Sequence, residues 1–151
     1  MKVLILYHSE HHGNTGKVAR RIAEVLDADL IPSSGIGTET AALLGEYDLV
    51  GFGSGIYYGR FGKDLENFVS SLGPMGGLRA FLFSTTGSER YAEQAHDVFG
   101  RLLAEKGFTV KGSFTCPGFD TALSAEGINR GRPSEDDFKK AAEFADGLKE
   151  N

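Results

Sequence analysis

The chain has 151 residues, 40% hydrophobic and 25% charged, a balance that suits one domain over residues 1–151 and excludes disordered and fibrous classes. Its 16 Lys and Arg against 21 Asp and Glu give a net charge of −5, which argues against nucleic acid or an anionic membrane as the main partner. Cys116 is the single cysteine, no apolar run is long enough to cross a bilayer, and no secretory leader is evident, so a reducing, cytoplasmic setting is expected.

Strand and helix patterns alternate five times along the chain. Residues 2–7 form a continuous aliphatic run, as expected of a strand covered on both faces. Residues 14–27 carry Val18, Ile22, Val25 and Leu26 at helical spacing. A short second strand at 28–31 is stopped by Pro32, a loop follows at 33–37, and 39–44 make a weak helix. The third strand, 48–53, ends in a glycine-rich run that reaches Gly59. Helix 63–72 presents Leu65, Phe68, Val69 and Leu72 on one face, and 78–84 form the fourth strand. A long helix at 89–106 ends at Gly107, whose lack of a side chain suits a C-terminal stop. Residues 108–116 read as a polar, irregular fifth strand near an edge. Ser134 with Asp137 resembles a capping box that opens the last helix, striped by Phe138, Ala141, Ala142, Ala145 and Leu148.

This alternation predicts an α/β fold: a doubly wound three-layer sandwich around a five-stranded parallel sheet, because parallel strands need right-handed crossovers that cover both faces. Ligands of such sheets sit beyond the carboxyl ends of the strands. The loops after strands one, three and four are therefore the candidates, and many of the 21 glycines gather there, where bare backbone can approach a ligand.

The first loop runs from Tyr7 to Thr15 straight into a helix. Ser9, His11, His12, Gly13, Asn14 and Thr15 offer hydroxyl, amide and imidazole donors around a helix N-terminus, which is what an anion such as phosphate needs. Asn14 or Thr15 would equally serve as a simple helix cap. A nucleotide P-loop is excluded, because it requires glycine at the position of His11 and Ser or Thr at that of Val18. The dinucleotide fingerprint is absent as well. His8, His11 and His12 have no carboxylate or cysteine spaced with them to complete a metal site, and no metal is expected.

Tyr7-x-Ser9 followed by Gly13-Asn14-Thr15 resembles the phosphate-loop signature of the flavodoxin family, with one extra residue between Ser9 and Gly13. The run from Gly53 to Arg60 is similar to the second flavin loop of flavodoxin-like proteins, in particular those related to the menaquinone-linked protoporphyrinogen oxidase type. Gly87-Ser-Glu-Arg-Tyr91 resembles the third loop, with serine in place of an aspartate. The resemblance spans nearly the whole chain and implies strand order 2-1-3-4-5.

It also implies noncovalent FMN, with the phosphate in the first loop and the ring between the second and third. Ser54, Gly55, Ile56, Tyr57, Tyr58 and Gly59 would then line one side of the ring, and Ser84, Thr85, Thr86, Gly87 and Tyr91 the other. Tyr57, Tyr58 and Tyr91 offer flat surfaces whose stacking contributes about 0.5–1.5 kcal/mol per contact beyond area burial. The hydroxyls at 84–86 can meet the pyrimidine edge, and Gly55 or Gly59 can turn a peptide group toward the ring. Three functions stay open. The first is an electron carrier, monomeric or weakly dimeric, that docks transiently to redox partner proteins. The second is an FMN-dependent oxidoreductase acting on a quinone or porphyrinogen. The third is a non-redox module that binds a phosphate ligand.

Overall fold

Val3, Leu4, Ile5 and Leu6 are all buried, since their strand is the one that helices cover from both sides. The computed structural model describes residues 1–10, 13–119 and 127–150. Along them run β1 (Val3–His8), α1 (Asn14–Leu26), β2 (Asp29–Pro32), α2 (Thr38–Leu43), β3 (Leu49–Gly55), α3 (Lys63–Ser70), β4 (Arg79–Thr86), α4 (Glu89–Glu105), β5 (Thr109–Pro117) and α5 (Glu135–Leu148). Short 3₁₀ turns at Ser33–Gly35 and Leu44–Glu46 flank α2. The five strands form one parallel sheet in the order β2-β1-β3-β4-β5, as expected.

Alternation along the strands sorts the core into two layers. Leu4, Leu6, Val50, Phe52, Ala80 and Leu82 face α3 and α4, which contribute Leu65, Phe68, Val69, Ala95, Phe99 and Leu103. Val3, Ile5, Phe81, Phe83 and Cys116 face α1 and α5, which contribute Val18, Ile22, Leu26, Ala141, Ala145 and Leu148. The Ser134–Asp137 capping box is present, and Gly107 takes φ +89 after α4.

Several element ends differ from expectation. β3 and β4 each run two residues further, to Gly55 and Thr86, so Ser54, Gly55, Thr85 and Thr86 belong to the sheet. Their neighbours complete the ladder: Ser54 pairs with Ser84, Gly55 with Thr85, and Thr86 with Pro117. Backbone pairing extends past the apolar pattern because it needs N–H and C=O groups rather than hydrophobic side chains. Pro32 is the last residue of β2 instead of a stop before it, and an edge strand tolerates it. α3 closes at Ser70 and α2 starts at Thr38. β5 is indeed an edge. Ala80 pairs with Val110 and Phe81 with Gly112, which leaves Lys111 as a bulge.

Candidate functional site

Parallel pairing brings the carboxyl ends of β1, β3 and β4 into register, with His8 beside Ser54 and Ser54 beside Ser84. All three candidate loops therefore leave one rim of the sheet. The order reverses between β1 and β3, so this rim holds the switch point at which such folds open a crevice.

In the first loop, Gly13 takes the left-handed conformation (φ 69, ψ 20) and N-caps α1 with no side-chain cap. Ser9 Oγ accepts from the Gly16 N–H at 3.2 Å. The N–H groups of Asn14 and Thr15, at the positive end of α1, have no acceptor among the described residues. The side chains of these two residues have protein partners. Asn14 Nδ2 donates to the Phe119 carbonyl at 2.8 Å, and the buried Thr15 hydroxyl lies 2.8 Å from that of Thr85. His11 and His12 lie outside the described residues.

The second loop is closed at its base and at its tip. Ser54, fully buried, accepts from the Gly62 N–H at 2.8 Å and donates to the Gly55 carbonyl at 2.6 Å. Tyr57 and Arg60 exchange backbone hydrogen bonds of 2.8 and 3.0 Å around Tyr58 (φ 52) and Gly59 (φ 75). Two consecutive positive φ values make this a type I′ turn, for which Gly59 is suited and Tyr58 is not. Tyr58 is fully exposed. Ile56 packs against the α3/α4 core layer, and Tyr57 is half-buried. Burial, with help from the Glu10 and Asp64 charges, pushes the Tyr57 hydroxyl up to about 12 and keeps it neutral.

In the third loop, the Thr86 hydroxyl donates to the Ser88 carbonyl at 2.7 Å and accepts its N–H at 2.9 Å, forming a small turn around half-buried Gly87. Tyr91, at the start of α4, is half-exposed. Ser84 points away from the rim. It is fully buried, and its hydroxyl lies 2.7 Å from both His96 Nε2 and Thr115 Oγ1.

Several rim residues were not singled out as site residues from the sequence. The connection after β5 reaches the rim: the Gly118 N–H donates to the Thr86 carbonyl, and Phe119 receives Asn14. The stem of that connection is anchored where Arg132 clasps the buried Asp137 through two hydrogen bonds of 2.6 and 2.7 Å. His8 and Asp64 meet at 2.6 Å beside the first loop. They line a cleft of about 460 Å³ that also includes Ser9, Glu10, Ser33 and Arg20. A polar residue closing an otherwise apolar strand was the one hint of this cleft, because Asp64 and Ser33 arrive there by tertiary packing.

Comparison with known proteins matches this architecture. A family model described as "Flavodoxin domain" matches residues 4–112. An uncharacterized protein of Methanocaldococcus jannaschii is 39% identical over 154 residues, covering 100% of both chains. Oxidised flavodoxin 1 of Bacillus cereus shares the fold, with a TM-score of 0.75 at 20% identity over 100% of this chain and 99% of that one. Oxidised flavodoxin 2 of the same organism gives 0.75 at 22% identity over 99% of each chain. With β1, β3 and β4 delivering three loops to one rim of a 2-1-3-4-5 sheet, and the matched region running through four of the five strands and into the fifth, the chain belongs to the flavodoxin family.

Proposed function

We propose that the rim binds FMN and that the protein carries electrons between redox partners that dock there transiently. The carrying observation is the N-terminus of α1. Gly13 in the left-handed region, the N–H groups of Asn14 and Thr15, which have no acceptor among the described residues, and the nearby Ser9 hydroxyl form a seat of the kind a phosphate monoester fills. Two exposed phenol rings, Tyr58 and Tyr91, stand on the other two loops, and flat apolar surfaces of this type suit a tricyclic ring. The donor set and the aromatic surfaces thus fit FMN. When bound, FMN supplies the one- and two-electron chemistry.

The chain's own residues bind and orient. α1 holds the anionic end, and the second loop, closed at its base and tip, carries the two tyrosines beyond the end of β3. Tyr57 stays neutral over the working pH range and so adds no charge beside the ring. A second reading, an oxidoreductase acting on a quinone or porphyrinogen, draws on the cleft beside the first loop, which offers room for a substrate.

Titration of the apoprotein into FMN, followed by stepwise reduction, tests the proposal. Quenched FMN fluorescence and a yellow protein reduced in two resolved one-electron phases are the expected results. Unchanged fluorescence overturns FMN binding. Rapid turnover of NAD(P)H with a quinone, reduction proceeding in a single two-electron phase, favours the second reading.

A further inference from the structure

We propose that His8 is the positioning residue of the rim: its Nδ1 bond to Asp64 orients the imidazole, and the imidazole fixes the second loop against the first through its edge-on contact with Tyr57. His8 ends β1, and its side chain is only 14% exposed although it lines a cleft. Nδ1 lies 2.6 Å from Asp64 Oδ1 in the first turn of α3 and 3.1 Å from Ser33 Oγ after β2. Nε2 lies 3.5 Å from Glu10 Oε2 in the first loop. The imidazole meets the Tyr57 ring edge-on, with centroids 5.3 Å apart. One side chain thus touches four segments that approach the rim from different elements.

The chemistry assigns the two ring nitrogens different tasks. An ionised carboxylate only accepts, so Nδ1 carries the proton it gives to Asp64. That bond orients the ring, and the ring in turn abuts Tyr57. Tyr57 closes the turn that presents Tyr58, through its backbone bonds to Arg60. The backbone is shaped to admit the imidazole: a Cβ at Gly62 would stand 2.5 Å from His8 Cγ, although φ −50 and ψ 134 there suit any residue. The second loop's own closures, Ser54 to Gly62 and Tyr57 to Arg60, do not involve His8. Without the imidazole the loop keeps its shape and loses its fixed placement.

This role rests on the reading of the rim as an FMN site, and the test separates the two. FMN affinity by fluorescence quenching, visible circular dichroism of the bound FMN, amide exchange over residues 55–62 and the thermal midpoint are measured together. His8→Ala is expected to weaken FMN at least tenfold, to alter the visible dichroism and to speed exchange at 55–62. His8→Asn places an amide nitrogen near the position of Nδ1 and is expected to recover most of the affinity. His8→Gln places its amide near Nε2 and is expected to recover little. Gly62→Ala, which displaces the ring without changing its chemistry, should reproduce His8→Ala and add nothing to it in the double variant. If His8→Ala does not fold, Asp64→Ala at a half-exposed position carries the same test.

Affinity within twofold of wild type for His8→Ala, or for Asp64→Ala in its place, overturns the role of His8 alone. So does equal rescue by Asn and Gln, or a loss of affinity that merely tracks a lower thermal midpoint. A wild-type protein that does not bind FMN overturns the site and this role together.

Discussion

Phe83 lies across Gly53 of the neighbouring strand, its ring filling the space that any Cβ at position 53 would need. Phe81 does the same at Gly51, and the two rings stack with centroids 6.1 Å apart. Two glycines of β3 and two phenylalanines of β4 thus form one packed unit under α1 and α5. Glycine here provides room for aromatic bulk within the sheet, whereas the glycine-rich run read in isolation suggests a ligand approaching bare backbone.

Gly53→Ala is accordingly expected to destabilise the fold. Overpacking a tight core costs about 1–3 kcal/mol, because side chains leave their rotamers or strands shift apart. Gly45→Ala, where nothing lies within 4 Å of the added carbon, serves as the control and should stay within about 0.5 kcal/mol of wild type. Urea midpoints measure both, and equal midpoints for the two variants would contradict the packing account.

Acid should weaken the protein in two stages. Burial between α4 and the sheet pushes the His96 imidazole down to about 4, partly offset by Asp97, while the unfolded chain takes up that proton near pH 6.5. Stability from His96 is therefore complete above pH 6.5 and declines as pH falls toward 4, by up to about 3 kcal/mol. Hydrogen bonds from Arg132, and then from Ser134, hold the Asp137 carboxyl down to about 2. Its contribution, about 2 kcal/mol, is present above pH 4 and lost as pH falls from 4 to 2. His96→Gln is expected to gain on wild type between pH 6.5 and 4. Asp137→Asn is expected to start less stable at pH 7 and to converge with wild type near pH 2. Denaturation curves at pH 7, 5 and 3 distinguish these courses.

Tyr58 holds a strained backbone at the tip of the second loop, and no core contact compensates for it. Tyr58→Asn creates the residue pair that type I′ turns favour and should raise stability by about 0.5–1 kcal/mol. The same change is expected to weaken FMN about tenfold, since it removes an exposed ring from the proposed site. Thermal midpoint and FMN affinity moving in opposite directions would mark a residue retained for binding at a cost in stability.

Cys116 should be inert in the folded protein. Burial under α5, aided by the nearby Asp137 charge, pushes its thiol up to about 12, so little thiolate exists at neutral pH. A chromogenic disulfide reagent at pH 8 is expected to leave the native protein unlabelled over minutes and to react fully in concentrated urea. Fast labelling without denaturant would contradict this burial.

The pattern of apolar residues alone was enough to specify the alternation of strands and helices, the two covered faces and the three loops at the carboxyl ends of β1, β3 and β4. Apolar periodicity is a local property, and a parallel sheet leaves few ways to bury it. The Ser134–Asp137 cap and the Gly107 stop were equally legible, because their hydrogen bonds or φ values involve residues close in the chain. Which polar side chains remain available at the rim was decided by tertiary structure. Ser84 turns to His96 and Thr115, Thr15 to Thr85, and Asn14 to Phe119, each pair 12 to 105 positions apart. A buried hydroxyl or amide must find a partner, and which one it finds depends on how strands and helices pack. The same holds for His8, whose meeting with Ser33, Asp64 and Tyr57 no spacing in the chain encodes.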